Sequence, residues 1–598
     1  MPWAPTPVGG GRVAKLNDLR PNYGSSSVPN IVDGVSLRSL TVNEAALILG
    51  LNKARVRYLC QVGEIPAVKD GRTWAITDQR IEDFGRLDPV DAVVQTEPDV
   101  ANALSRIECQ DLLADSWVPD ILRHEDKLSN REKLLGVVKS RLAGHLVDAA
   151  MEIEIPKTPF FARTGHLLTL EDRIGYHATV GTFAAKVESR LPGVVFSTRL
   201  APTRSKRLTK NGVQQWKRWR KYVIATVKAG NPWLIKSDLA AYFDCMRHET
   251  LFTELGEIGV GNEIIKHLRS FLSSWSNLSE QGLPQGPDAS RILGNFYLVP
   301  VDEVMLREGY KYSRYMDDIR IVGKSKAEVV QGMRRFGTEC RRRGLFASTA
   351  KTKLLFGEDA ETFDADDDIA SAANLMDQRR HGEAGKVLKI ILEKALLADG
   401  HINVRATKFS LWRLALLREE DVCELVLGRL DDLSPVASVV ADYLSGYVSR
   451  DFVRVGLCNY LEAPESVHDD FLMTFLFSAM LEHGGILPQP WIKHARRTSQ
   501  DKNKPKFLRI VAANVLALGR VLSDLTWLRI EAAQEPDPEL RRGYATALRR
   551  TGRLDAPTAK VLQLRSKELG QTVDYLNSTD TLPSLVRCYS RVPIRRNL

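Results

Sequence analysis

The stretch Tyr312-Ser-Arg-Tyr-Met-Asp-Asp-Ile-Arg-Ile-Val322 reads as two β-rich runs broken by a pair of acids. Tyr, Ile and Val on both sides have the makeup of a buried strand pair. Asp317 and Asp318 fall where a tight turn would. Two anions side by side against an apolar frame are unfavourable unless a cation sits with them. Carboxylate oxygens suit a hard ion such as Mg²⁺, which takes one or two carboxylates and fills its remaining positions with water and phosphate. Taken alone, the same residues also read as a hairpin whose turn is merely acidic.

Two stretches upstream decide between these readings. In Trp233-Leu-Ile-Lys-Ser-Asp-Leu-Ala-Ala-Tyr-Phe-Asp-Cys245 an apolar strand runs into Asp238, and a small-residue turn leads on to Tyr242-Phe-Asp244. A third carboxylate at a strand end, facing the hairpin, completes a two-cation set for in-line phosphoryl transfer. In Gly282-Leu-Pro-Gln-Gly-Pro-Asp-Ala-Ser-Arg-Ile-Leu-Gly-Asn295, two glycines let backbone approach a ligand closely, and an apolar helix follows. The three blocks, in this order, resemble motifs A, B and C of reverse transcriptases. Gly344-Leu-Phe-Ala-Ser-Thr-Ala-Lys-Thr-Lys353 resembles motif D, with Lys351-Thr352 matching the family's Lys-Thr.

The resemblance implies an α+β right-hand polymerase, with fingers and palm over residues 150–357, that makes DNA from dNTPs with two Mg²⁺ ions. Asp238, Asp317 and Asp318 are then the catalytic metal ligands, with the Leu239 carbonyl as a further ligand by family analogy. Phe243, five residues after the first Asp, falls at the steric-gate position, where a bulky ring excludes a 2′-hydroxyl. Gln285 and Gly286 line the nascent base pair, and Lys351 is the candidate general acid. Lys157, Arg163 and Arg173 lie in a segment resembling the fingers, where cations hold the incoming triphosphate. Arg291 departs from the family, since group II intron and retron enzymes carry Pro there. The closest likeness is to bacterial reverse transcriptases of abortive-infection and other phage-defence systems, some of which extend DNA without a template from a protein hydroxyl. A mobile-element reverse transcriptase copying a specific RNA, and a DNA-binding regulator with a vestigial polymerase, are the alternatives.

The flanks extend this reading. Residues 1–37 are rich in Pro, Gly and Ser and read as a flexible arm. Residues 38–86 give two short helices and a strand pair across Lys69-Asp-Gly-Arg72 to Trp74-Ala-Ile76. Their wording resembles an excisionase-like or MerR-like winged helix-turn-helix, which places Lys53, Arg55, Arg57 and Arg72 against duplex DNA. Residues 87–149 read as a linker and helical bridge, irregular to about 130 and then helical, with Leu134, Leu135, Val138, Leu142 and Leu146 on one face. Residues 204–221 hold Arg204, Lys206, Arg207, Lys217, Arg218 and Arg220 without one acid, interleaved with Trp216 and Trp219. Cations track phosphates and rings stack on bases, so a nucleic-acid channel is expected; rings packed on the core under solvated cations are the alternative.

An acidic linker, 358–368, precedes an α-helical region, 369–598, read as an irregular HEAT-like repeat. Lys493, Arg496, Arg497, Arg541 and Arg542 are candidates to line its concave surface. A net charge of +10 favours RNA or DNA as partner. Seven scattered cysteines without a Cys-x-x-Cys pair argue against a disulfide framework and for a reducing cytoplasm. No apolar run is long enough to span a membrane. A homo-oligomer is compatible with the sequence.

Overall fold

The computed structural model describes residues 39–40, 42, 67–70, 73–77, 97–112, 118–202, 205–276, 280–363, 367–397 and 402–587. Its mixed helices and strands form two compact units, Met1–Asp88 and Pro89–Leu598. In the first, strands β1 (Ser39–Leu40), β2 (Ala67–Asp70) and β3 (Thr73–Thr77) form an antiparallel sheet in the order β1-β3-β2. Asp70 pairs with Thr73 and Ala67 with Ile76, so the expected strand pair is present. The positions of Lys53, Arg55, Arg57 and Arg72, and the arm over residues 1–37, lie outside the described residues.

The second unit is organised by an antiparallel sheet of unequal strands. Strand β4 (Met151–Pro156) pairs with β5 (Ala162–Leu167) as a separate hairpin. The main sheet runs β10-β6-β8-β7, from β6 (Trp233–Ala240), β7 (Lys311–Tyr315), β8 (Asp318–Gly323) and β10 (Lys353–Phe356). The two-residue β9 (Phe346–Ala347) pairs with the far end of β6. Both faces of this sheet are covered, which is why β6 and β8 are buried along most of their length instead of on alternate residues. Leu234 and Val322 pack against Trp219, Val223 and Val227 of a helix on one side. Ile235, Ile319 and Ile321 join the larger core on the other, with Ile292, Leu293 and Phe336.

Helices frame this sheet and its approaches, Lys326–Arg342 among them. Helix α1 (Val100–Arg106) continues into a π-helical turn, Ile107–Asp111. Helix α2 (Arg131–Ala143) is capped by Asn130, which accepts from the Lys133 amide at 3.0 Å. Leu134, Val138 and Leu142 of its expected face are buried, while Leu146 lies past the helix end and is exposed. Helix α3 (Gly212–Lys228) lies on the main sheet, and α4 (Asp288–Tyr297) lies in the larger core. The acidic stretch after β10 includes a short helix, Glu358–Glu361. Its Ala360 packs on α3, and Glu361 pairs with Lys228 at 3.2 Å.

From Asp367 onward the described chain is helical, with α5 (Pro538–Arg550) and α6 (Lys567–Ser578) near its end. Asp537 caps α5 by accepting from the Glu539 and Leu540 amides. Ile153 and Ile155 of β4 are buried in the same core as these C-terminal helices. The stretch before α2 is tied to them as well. Arg542 donates to Asp120 at 2.5 and 2.9 Å and to Asp126 at 2.6 and 2.7 Å. Thr572 adds a hydrogen bond to Asp126, and Arg123 donates to the carbonyls of Ser584 and Leu585. Arg542 is therefore an interior clasp, which corrects its expected place on a concave binding surface. Arg496 is likewise held, in a two-pronged pair with Asp524. Among the described residues no helix is long and apolar enough to cross a membrane.

Candidate active site

Register brings the acids together. Asp238, near the end of β6, pairs directly with Asp318, the first residue of β8. Tyr315 pairs with Asp318 across the hairpin, so Met316 and Asp317 form a two-residue turn. Composition alone assigns both acids to the turn; the structure puts Asp317 there and Asp318 on the strand. Met316 sits at φ 60°, a left-handed conformation that costs a residue with a Cβ. The Leu239 amide donates to the Asp317 carbonyl at 3.2 Å, locking the strand end to the turn.

The electrostatics follow from that crowding. Burial, then the neighbouring charges of Asp238 and Asp318, push the Asp317 carboxyl up to about 7, and it shares a hydrogen bond with Asp238. Lys351 donates to Asp238 in a close ion pair. Burial opposes the lysine charge, but the hydrogen bond and charge of Asp238 outweigh it and hold the Lys351 pKa above its ordinary value. Asp318 is more open, with Arg320 at 3.7 Å. Among the described residues no three His, Cys, Asp or Glu side chains already converge as a metal-holding group. The donor chemistry nevertheless fits a hard divalent cation: three carboxylates share one end of the sheet, two of them in contact, at a like-charge cost that a cation relieves.

The loop before α4 closes on the turn that follows β6. Gly282 and Gly286 take φ 100° and 119°, conformations open to glycine at little cost. The amides of Gly282 and Leu283 donate to the carbonyls of Met246 and Phe243, each at 2.8 Å. Gln285 donates to Asp244 at 3.0 Å. Phe243 is half-buried, and a Cβ at Gly294 would come within 3.3 Å of its ring and 3.5 Å of the Met316 sulfur. Phe243, Met316 and α4 are thus in one layer. Arg163, on β5, lies within electrostatic reach of Asp244 and Asp317, although burial outweighs them and lowers its pKa. Lys157 is exposed at the tip of the same hairpin.

Two expectations change. Arg173 is buried, and its guanidinium donates to Asp111 at 2.5 Å, so it is committed inside the protein and is not presented to a triphosphate. Asp111 also accepts from the Asp288 amide at 2.9 Å, and Gln110 donates to the Asp288 carboxylate at 2.7 Å. The π-helical turn therefore pins the start of α4, a role no local pattern announced. The second change concerns α3. Trp219 is fully buried, donates to Ser313 at 2.9 Å and stacks under Arg320. Trp216 is half-buried, edge-on to Tyr315. These rings are core and not a stacking platform, in keeping with the helical spacing of Trp219 with Val223 and Val227. Lys206, Arg207, Lys217 and Arg218 are exposed and Arg220 is half-buried; Arg204 lies outside the described residues.

Residues 186–384 match the family model described as reverse transcriptase (RNA-dependent DNA polymerase), and residues 39–84 match the one described as helix-turn-helix domain. No match was found among curated proteins. The first match spans β6 to β10 with Asp238, Asp317 and Asp318, and it marks an enzyme: an RNA-directed DNA polymerase, hence a nucleotidyltransferase. Both domains imply nucleic-acid binding.

Proposed function

We propose that the chain synthesises DNA from dNTPs at Asp238, Asp317 and Asp318, with residues 150–357 as fingers and palm. The observation that carries this is the register pairing of Asp238 with Asp318 around a turn that forces Asp317 up to about 7. Two Mg²⁺ ions held by these carboxylates, with the Leu239 carbonyl as an added ligand, would supply charge to activate the primer hydroxyl and neutralise the departing pyrophosphate. The protein's own part is placement and fixed charge. Phe243 lies beneath the sugar as the gate against a 2′-hydroxyl. Gln285, steadied by Asp244, and Gly286 line the base pair. Arg163 and Lys157 face the triphosphate from the β4–β5 hairpin. Lys351 stays protonated beside the carboxylates, the state a general acid toward pyrophosphate needs. Exposed Lys206, Arg207, Lys217 and Arg218 track the phosphate backbone.

The remaining parts follow the same reading. Residues 38–86 are a winged helix-turn-helix that grips duplex DNA, 87–149 bridge, 358–368 link, and 369–598 form a HEAT-like region, all in the cytoplasm. A helical region whose core takes in β4 of the fingers hairpin supports the phage-defence type over a mobile-element enzyme. The test is synthesis by protein stripped of nucleic acid, followed by proteinase treatment of the product. Protein-linked DNA of untemplated sequence supports the defence type. Product that requires added RNA, complements it and carries no peptide returns the enzyme to ordinary reverse transcription.

A further inference from the structure

The left-handed turn at Met316 is held at both ends by side chains from outside the turn. Ser197 Oγ accepts from the Met316 amide at 2.7 Å. Arg314 donates to the Met316 carbonyl at 3.4 Å. These two groups are themselves joined through Asn295 of α4. Asn295 Oδ1 accepts from Ser197 Oγ at 3.2 Å and from Arg314 Nη1 at 2.7 Å, while its Nδ2 donates to the Ser197 carbonyl at 2.7 Å. Arg314 has no exposed surface, and its remaining donors reach Asp302 in a two-pronged pair at 2.7 and 2.8 Å and the Asn295 carbonyl at 2.9 Å. Tyr312 adds a donor to Asp302 at 2.9 Å. All five guanidinium hydrogens therefore have acceptors, a fixed fork that lysine cannot reproduce.

We propose that Ser197, Asn295, Arg314 and Asp302 are positioning residues that hold the Met316–Asp317 turn in its left-handed form and so aim the Asp317 carboxylate. Relaxation of Met316 to a negative φ would rotate the peptide that leads into Asp317, and placement errors of about an ångström cost in-line chemistry up to about a hundredfold. A polar cluster built only to stabilise the core has no reason to converge on both backbone groups of a single left-handed turn residue beside the acids. The kinetic part of this inference rests on the polymerase reading.

The test is a pair of substitutions in the full chain, Ser197→Ala and Met316→Gly, alone and combined. Ser197→Ala should lower kcat for dNTP incorporation between about ten- and a hundredfold, with KM for dNTP little changed. It should also speed hydrogen exchange at the Met316 amide, measured without nucleotide or metal. Glycine adopts φ 60° without a brace. In the Met316→Gly background the loss from Ser197→Ala should therefore shrink at least about threefold, a coupling that marks the two as one device. An equal loss in both backgrounds, or unaltered exchange at Met316, would overturn the proposal. If wild-type protein incorporates no nucleotide yet Ser197→Ala still speeds exchange, the brace stands and the polymerase reading falls.

Discussion

Phe243 carries the choice of sugar in the proposed mechanism, and its surroundings make the choice testable. The ring lies over Gly294 of α4, beside Met316. Phe243→Ala should raise use of ribonucleotides relative to dNTPs on the order of tenfold, read from competing incorporation. An unchanged ratio would remove Phe243 from the gate. At this scale the acids and glycines were legible because each sits in a short motif whose neighbours state its purpose. Arg173 and Arg314 were not. Arg173 follows two acids and Arg314 interrupts a strand, and only contacts to Asp111 and Asp302 reveal that each is sealed in the interior. Asp111 lies 62 residues from its arginine along the chain, beyond any local pattern.

Helix α3 shows what composition can and cannot separate. Eight cations with interleaved rings between 204 and 221 have the makeup of a nucleic-acid groove. The helix divides them: Trp219, Val223 and Val227 go down to the sheet, while Lys217, Arg218 and Lys221 stay outside. The helical spacing was the legible signal, and it outranks composition where the two conflict. Trp219→Ala should cost about 3–5 kcal/mol in unfolding free energy through the cavity it leaves. Reversal of Lys217, Arg218 and Lys221 to Glu should leave the melting temperature nearly unchanged but weaken nucleic-acid binding, with a shallower dependence on salt. Binding that survives the reversal at every salt concentration would move the interface elsewhere. The helix Arg131–Ala143 begins where its apolar spacing predicts but ends before Leu146, at the Gly144 cap.

Across the second unit, the stretch before α2 that reads as an irregular linker is clasped by α5 and α6. Its order depends on Arg542, more than 400 residues away, which is why no periodicity betrayed it. Burial alone would push the Asp120 and Asp126 carboxyls up, but the charge and hydrogen bonds of Arg542, joined by His124 at Asp120 and Thr572 at Asp126, together outweigh it and hold both below the ordinary range. Groups with depressed values stabilise the fold fully above their unfolded pKa, near about 4, and lose that contribution as pH falls through the folded values. Arg542→Ala should therefore cost about 3–5 kcal/mol at neutral pH, because two buried carboxylates lose their counter-charge. Chemical unfolding at several pH values checks this: the gap between variant and wild type should narrow below about pH 4. A gap that is absent at pH 7, or that widens in acid, would contradict the clasp.

The central claim is that Asp238, Asp317 and Asp318 perform nucleotidyl transfer at the end of the main sheet. Its most direct test is incorporation of labelled dNTP by purified wild-type protein and by the double variant Asp317→Ala with Asp318→Ala, both shown folded by circular dichroism. Wild type should incorporate nucleotide in a Mg²⁺-dependent manner, and the variant should show none above background. Full activity in the folded variant would contradict the claim.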